Sequence, residues 1–163
     1  MCGIAGTLAN DTERNLRISA QKMADAMIHR GPDGSGVWLN GQVAFSHQRL
    51  SIIDLEGGAQ PIVGERGCVL TFNGELYNYI EIRDELTASG TQFKSQSDSE
   101  VVVNAYEKWG EKCLSKFIGM FAFAIWDPHK NILFLARDRL GKKPLYYAFG
   151  NGSFAFASEI KAL

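Results

Sequence analysis

The chain has 163 residues, of which 45% are hydrophobic and 21% are charged, a balance that fits one globular domain and excludes a largely disordered chain. Lys and Arg number 17 and Asp and Glu number 18, so the formal charge of −1 gives no general attraction to nucleic acid or to an anionic membrane. No apolar run approaches the ~18–20 residues of a membrane span. Three cysteines without metal-ligand spacing favour neither a zinc site nor a disulfide framework, and they fit a reducing, cytoplasmic location.

Hydrophobic periodicity and turn signals predict many short strands and three helices. In chain order we expect a strand at 2–8, a helix at 15–27, strands at 37–39, 43–47 and 68–72, helices at 77–86 and 98–109, and strands at 121–126, 132–136, 145–149 and 153–157. Ser97 is expected to cap the third helix, with Glu100 completing a capping box. Because most strands are joined as hairpins, the pattern predicts an α+β fold of antiparallel sheets covered by helices.

The sequence ends in Ser158-Glu159-Ile160-Lys161-Ala162-Leu163, which resembles the first turn of another helix with Ser158 as its N-cap. No linker or repeat interrupts the chain. We therefore expect residues 1–163 to form one domain, the N-terminal part of a longer protein.

Cys2 follows the initiator Met1, and removal of Met1 would give it a free α-amino group beside its thiol. An α-amino group ordinarily has a pKa of ~7.7–8.0 and a cysteine thiol one of ~8.5, so the amine can accept the thiol proton near neutral pH. Such a residue is a nucleophile with its own base. While Met1 is attached, the nitrogen is an amide and the chain is expected to be silent. Position alone favours the simpler interpretation of a structural cysteine at the start of a strand.

Further motifs change that balance, and they occur in one order along the chain. They are Cys2-Gly3-Ile4-Ala5-Gly6, His29-Arg30-Gly31-Pro32-Asp33, Arg49-Leu50-Ser51-Ile52-Ile53-Asp54, Asn73-Gly74-Glu75-Leu76-Tyr77-Asn78, Ser97-Asp98-Ser99-Glu100, Phe121-Ala122-Phe123-Ala124-Ile125-Trp126-Asp127 and Arg137-Asp138-Arg139-Leu140-Gly141-Lys142-Lys143-Pro144-Leu145-Tyr146-Tyr147. Together they closely resemble the glutaminase domain of glutamine-hydrolysing asparagine synthetases. These domains are class II glutamine amidotransferases of the N-terminal-nucleophile hydrolase fold.

The resemblance implies an αββα four-layer sandwich with two antiparallel sheets, and a reaction that converts glutamine and water to glutamate and ammonia. It implies that Cys2 is the catalytic nucleophile and forms a γ-glutamyl thioester. It also implies that the side chain of Asn73 and the backbone N–H of Gly74 form the oxyanion hole. Taken alone, Asn73-Gly74 is more typical of a hairpin turn.

The resemblance assigns the charged ends of glutamine to three side chains. Arg49 resembles the residue that binds the α-carboxylate, which a guanidinium can grip with two parallel hydrogen bonds. Glu75 and Asp98 resemble the acceptors for the α-ammonium group, and the backbone around Ile52 and Ile53 would complete the pocket wall. The structural alternatives are a surface ion pair for Arg49 and, for Asp98, a favourable charge at a helix N-terminus.

The remaining candidates favour structural roles. His29 and His47 are not needed if the α-amine is the base. Cys68 and Cys113 are expected to be inert thiols. The pair Lys142 and Lys143 is expected to lie in a solvated turn.

For this half-reaction the resemblance implies no metal and no organic cofactor. ATP and Mg are implied only for a synthetase domain, in cis or in trans, whose Ser-Gly-Gly-x-Asp-Ser loop is absent from these residues. Asparagine formation is therefore not expected from this chain by itself. Three alternatives stay open: a parent protein with an acceptor other than aspartate, a non-catalytic glutamine-binding module, and an amidohydrolase for a different amide. The formation of a homodimer is also left open.

Overall fold

The computed structural model describes residues 1–51 and 58–163, which form two antiparallel sheets and three α-helices. The first sheet contains β1 (Gly3–Leu8), β2 (Gly34–Asn40), β3 (Val43–Arg49), β8 (Tyr146–Gly150) and β9 (Ser153–Ala157), in the order β2-β3-β1-β9-β8. The second contains β4 (Ile62–Val63), β5 (Val69–Leu76), β6 (Gly119–Asp127) and β7 (Ile132–Arg137), in the order β4-β5-β6-β7. The helices are α1 (Glu13–Asp25), α2 (Tyr79–Ala88) and α3 (Asp98–Trp109).

The two sheets pack face to face around an apolar core. Ile4, Phe45 and Phe156 of the first sheet meet Ala124 and Trp126 of the second. Because side chains alternate across a strand, the neighbouring positions point to the outer faces. Those outer faces are covered by the helices, so the predicted αββα sandwich is confirmed.

The helices complete the two outer layers. α1 places Leu16 and Ala20 against Ala44 of the first sheet. α2 and α3 place Ile82 and Val102 in the cluster that covers the second sheet. Among the described residues, no helix has the length and apolar character needed to cross a bilayer.

The first strand is central to its sheet, because β1 pairs with β3 on one side and with β9 on the other. Gly6 permits this close packing: a Cβ there would lie 2.6 Å from the Phe156 ring and 2.7 Å from the Ala44 carbonyl oxygen. Cys2 immediately precedes β1, so the chain on the C-terminal side of Cys2 is held firmly in the sheet.

Two local predictions are wrong because tertiary pairing overrides the local signal. β5 does not end at Asn73-Gly74 but continues to Leu76, since Asn73 pairs with Ala122 and Gly74 with Phe121 of β6. The C-terminal residues form a short 3-10 turn, Ile160–Ala162, which Ser158 does not cap. The Ser158 hydroxyl instead accepts a hydrogen bond from the backbone N–H of Ile4 at 3.0 Å.

The third helix begins where the sequence predicts. The Ser97 hydroxyl accepts a hydrogen bond from the Glu100 N–H at 3.3 Å, as expected for an N-cap. The capping box is only partly formed, since the Glu100 carboxylate accepts from the N–H groups of Lys94 and Ser95, at 2.8 and 2.7 Å. These bonds tie the preceding loop to the helix and hold its first residue, Asp98, in place.

Candidate active site

Every predicted site residue that lies within the described part of the chain lines one cavity, which has a volume of about 80 Å³. Its lining residues come from the N-terminus, the end of β3, the middle and second half of β5, the starts of β6 and α3, and the loops around them. They are Met1, Cys2, Arg49, Leu50, Gly58, Gln60, Phe72, Asn73, Gly74, Glu75, Ser97, Asp98, Ser99, Met120 and Lys143. Ile52 and Ile53 lie outside the described residues.

Cys2 is half-buried at the cavity wall, and its backbone and side chain are both held. Its Sγ accepts a hydrogen bond from the Leu50 N–H at 3.4 Å and lies 3.6 Å from the Leu50 carbonyl oxygen, to which it can donate. The carbonyl of Cys2 accepts a hydrogen bond from Arg30 Nε at 2.9 Å. The thiol is therefore anchored beside Arg49, the last residue of β3.

Asn73 and Gly74 lie inside a regular ladder, where a turn cannot explain their identity. Asn73 is only 1% exposed, and within the described structure its Nδ2 has no hydrogen-bond partner. A buried donor without a partner costs the folded protein ~1–3 kcal/mol, so such a group calls for an explanation. A ligand atom that accepts its hydrogen bond would provide one. At Gly74 a Cβ would lie 2.5 Å from the Met120 carbonyl oxygen, so glycine permits this close strand approach.

His47 supports the same stretch of β5 from the opposite sheet. Its Nε2 donates to the Phe72 carbonyl at 3.2 Å, directly before Asn73 in the chain. Burial lowers the pKa of His47 to about 4, with the nearby Arg49 charge acting in the same direction. The imidazole is thus neutral near pH 7 and serves as a structural donor, in keeping with the expectation from sequence.

Asp98 is a buried carboxyl group, 8% exposed, at the first position of α3. Its pKa is raised, mainly by burial and further by the negative charge of Glu75, although hydrogen bonds from backbone N–H groups, including that of Leu76 at 3.0 Å, oppose the rise. Two neighbouring carboxyl groups at a cavity wall favour a cation. An ammonium group placed there would lower the pKa of Asp98 and stabilise its ionised form.

Arg49 provides a positive group for the same cavity. It is half-buried at the end of β3, and its backbone carbonyl accepts a hydrogen bond from the Asp33 N–H at 3.0 Å. Asp33 in turn accepts the Ser51 N–H at 2.8 Å. Asp33 thereby holds the strand end that carries Arg49 through two hydrogen bonds, and the cavity walls offer a guanidinium and two carboxylates.

Lys143 is the residue that sequence reasoning misplaced. The predicted solvated turn holds for Lys142, which is exposed, but Lys143 is 6% exposed and lines the cavity. Its Nζ donates to Met1 Sδ at 3.2 Å, and its backbone N–H donates to the Asp138 carboxylate at 3.0 Å. The local sequence carries no signal for this position, because the partner is 142 residues away in the chain.

The other thiols differ from Cys2 in their surroundings. Burial raises the pKa of Cys68 and of Cys113 to about 12, so both stay protonated near neutral pH. Both are buried within the core cluster beside α3, which agrees with the expectation that they are inert. Within residues 1–51 and 58–163, no group of three or more His, Cys, Asp or Glu side chains is arranged to hold a metal ion.

Comparison with known proteins gives matches to the whole chain. Residues 1–163 match the family model described as the glutamine amidotransferase domain. Asparagine synthetase [glutamine-hydrolyzing] 3 of Bacillus subtilis is 45% identical over 170 residues, a match that covers 100% of this chain and 27% of that protein. Asparagine synthetase [glutamine-hydrolyzing] 1 of the same organism is 44% identical and is covered to 26%. The chain thus spans about a quarter of the length of these relatives.

A solved structure extends the comparison to the fold. The glutamine phosphoribosylpyrophosphate amidotransferase from B. subtilis matches 99% of this chain with a TM-score of 0.79, at 20% sequence identity and over 42% of that chain. At this identity the likeness concerns the fold alone. The agreement covers both sheets and the helical layers outside them.

Proposed function

Since this chain belongs to the glutamine amidotransferase domain family and is homologous to the N-terminal glutaminase part of asparagine synthetases, we propose that its cavity hydrolyses glutamine with Cys2 as the nucleophile. One observation carries the proposal: a single cavity is lined by the Cys2 thiol, by an amide donor on Asn73 that has no partner among the described residues, and by side chains of both charges. Glutamine is a zwitterion with a neutral amide, and it needs all of these complements at once.

The chemistry requires the free α-amine of Cys2. With Met1 removed, the amine takes the thiol proton while Sγ attacks the γ-carbonyl carbon of glutamine. The carbonyl oxygen becomes an oxyanion and accepts hydrogen bonds from Asn73 Nδ2 and the Gly74 N–H. The carbon–nitrogen bond then breaks, and the α-ammonium returns its proton to the departing ammonia. Water attacks the resulting γ-glutamyl thioester, which releases glutamate and restores the thiol.

Selection of the substrate rests on the charged residues. Arg49 binds the α-carboxylate with two parallel hydrogen bonds, and Asp98 with Glu75 binds the α-ammonium. A free amino acid satisfies both requirements, whereas an amide within a peptide chain satisfies neither. The α-ammonium of bound glutamine gives the buried carboxyl group of Asp98 a counter-charge.

The ammonia is proposed to serve a synthetase domain that uses ATP, since the relatives are named as glutamine-hydrolyzing asparagine synthetases and amide formation from a carboxylate needs an activating co-substrate. Aspartate is then the acceptor in the parent protein. We also propose a cytoplasmic location, because Cys2, Cys68 and Cys113 are all free thiols and Cys2 must stay reduced to react.

The test compares the protein that retains Met1 with the protein that has lost it. The form that retains Met1 is prepared while methionine aminopeptidase is inhibited. Intact mass after treatment with an electrophilic glutamine analogue reports the N-terminus and the labelled residue together. We expect one label and ammonia release only in the Met1-free form.

Two variants separate Cys2 from the other thiols. Cys2→Ala should abolish labelling and hydrolysis. Cys68→Ala, the matched control at a buried thiol outside the cavity, should keep both. Full activity with Met1 attached would exclude the α-amine as the base, and labelling that persists in Cys2→Ala would exclude Cys2 as the nucleophile.

A further inference from the structure

The segment that follows β9 is bonded directly to the first strand. The Ser158 N–H donates to the Ile4 carbonyl at 2.8 Å, and the Ile4 N–H donates to the Ser158 hydroxyl at 3.0 Å. This pair of bonds places the next residue, Glu159, beside the N-terminal end of β1. The mechanism described above makes no use of Glu159.

Glu159 is joined to the nucleophile through one intermediate side chain. Its Oε1 accepts a hydrogen bond from Arg30 Nη1 at 3.0 Å, and Arg30 Nε donates to the Cys2 carbonyl at 2.9 Å. The Arg30 side chain is only 9% exposed. Because a guanidinium is planar and rigid, holding one edge on Glu159 fixes the direction of the Nε–H that meets Cys2.

Removal of Met1 makes the hydrogen bond from Arg30 to the Cys2 carbonyl more important. It takes away the peptide bond on one side of Cys2, so the residue is then held through Gly3, through contacts of its thiol and through its own carbonyl. The carbonyl belongs to the Cys2–Gly3 peptide and survives processing. A hydrogen bond to that carbonyl restrains the rotation about Cα–C, which would otherwise swing the thiol and the α-amine together.

The carboxylate of Glu159 is suited to this task. Burial alone would raise its pKa, but hydrogen bonds from Arg30 and His29, with Lys161 nearby, lower it to about 2. His29 Nε2 lies 3.0 Å from the same oxygen, and Lys161 Nζ lies 3.3 Å from the other. The group is therefore ionised throughout the neutral range and remains a full counter-charge to Arg30.

We propose that Glu159 is a positioning residue that holds Arg30 against the Cys2 carbonyl and so fixes the nucleophile in its reactive orientation. This inference rests on the proposed glutamine hydrolysis by Cys2. Glu159 does not line the cavity, so it acts on the placement of Cys2 and not on the binding of glutamine. A misplacement of about 1 Å can cost on the order of 100-fold in rate.

The test is Glu159→Gln in the Met1-free protein, which keeps the shape of the side chain and removes its charge. We expect kcat for glutamine hydrolysis to fall about 10- to 100-fold with KM changed less than about twofold. The rate of Cys2 alkylation by the electrophilic analogue should fall by the same factor. Lys161→Ala is the matched control, since it removes an exposed partner of the same carboxylate, and its kcat should be unchanged.

Arg30→Lys supplies a second variant in case Glu159→Gln does not fold. A lysine keeps the charge facing Glu159 but lacks the planar fork that meets Glu159 and the Cys2 carbonyl in fixed directions, so it should show the same loss of kcat at constant KM. In the double variant the two losses should not multiply, because both break one chain of contacts.

Three results would overturn the positioning role: an unchanged kcat in folded Glu159→Gln or Arg30→Lys, an effect confined to KM, or losses that multiply in the double variant. A Met1-free unsubstituted protein that does not hydrolyse glutamine would instead refute the proposed function. The two failures are therefore distinguishable.

Discussion

Replacement of Asn73 by Ala should separate activity from stability. In the unliganded protein the Asn73 Nδ2 is buried and has no partner within the described residues, which costs the folded state ~1–3 kcal/mol. The substitution removes that cost but leaves a small void with a penalty of similar size. We therefore expect the free energy of unfolding to change by no more than about 1 kcal/mol.

The catalytic effect of the same change should be much larger. If Nδ2 donates to the oxyanion, its loss lowers kcat by ~10²–10³, equivalent to ~2.7–4 kcal/mol of transition-state stabilisation. KM for glutamine should change little, because the charge on the oxygen develops only in the transition state. Ammonia release gives kcat and KM, and urea unfolding gives stability.

Asn78→Ala is the matched control, because both ends of that amide are already used within the protein. Its Nδ2 donates to the Lys116 carbonyl at 2.9 Å, and its Oδ1 accepts the Ile118 N–H at 3.0 Å. This variant should lose about 1–2 kcal/mol of stability and keep its kcat. An Asn73→Ala protein with normal kcat, or one whose lost activity merely follows lost stability, would refute the oxyanion role.

Two further predictions concern buried ionisable groups. Asp98→Asn should raise KM for glutamine at least ~10-fold, since a charged hydrogen bond contributes ~1.5–3 kcal/mol. The pKa of Asp98 is raised from 3.8, so ionisation of this group destabilises the folded protein as the pH rises. The variant should therefore be more stable than the unsubstituted protein at pH 7 and equally stable below about pH 3.8. An unchanged KM, or lower stability at pH 7, would contradict the assignment. The pKa of His47 is lowered from 6.5 to about 4, so the unsubstituted protein should lose about 3 kcal/mol of stability as the pH falls through that interval. Urea titrations of His47→Gln should lack this loss, and an identical pH dependence would show that another group causes it.

The sequence predicted most of the architecture because the signals involved are local. The hairpin at 40–41 and the Ser97 cap depend on neighbouring residues alone, and both are present. The helix predicted from residue 15 begins at Glu13, since the Thr12 hydroxyl caps it by accepting the Asn15 N–H at 3.3 Å. Boundaries of this kind move by a residue or two without altering the fold.

The failures arise where distant segments decide the outcome. Asn73-Gly74 carries a turn signal, but pairing with β6 keeps it extended. Lys143 stands in a sequence typical of an exposed turn, yet the fold closes over it beside the N-terminus. Ser158 was expected to cap a helix, and its hydroxyl is instead used by Ile4. For the candidate site, ordered motifs identified Cys2 and its neighbours in the cavity, whereas the support from Glu159 depends on contacts across the whole chain and leaves no local pattern.

The position of β1 between β3 and β9 has a consequence for synthesis on the ribosome. Its first partner, β3, emerges early, but the contact of Ile4 with Ser158 spans 154 positions. At roughly 5–20 residues per second, translation leaves one edge of β1 uncovered for on the order of ten seconds. Met1 itself is 53% exposed in the folded chain, so we expect the amino terminus to stay open to a peptidase both during that interval and after the last strand docks, and its maturation would not depend on when the fold closes.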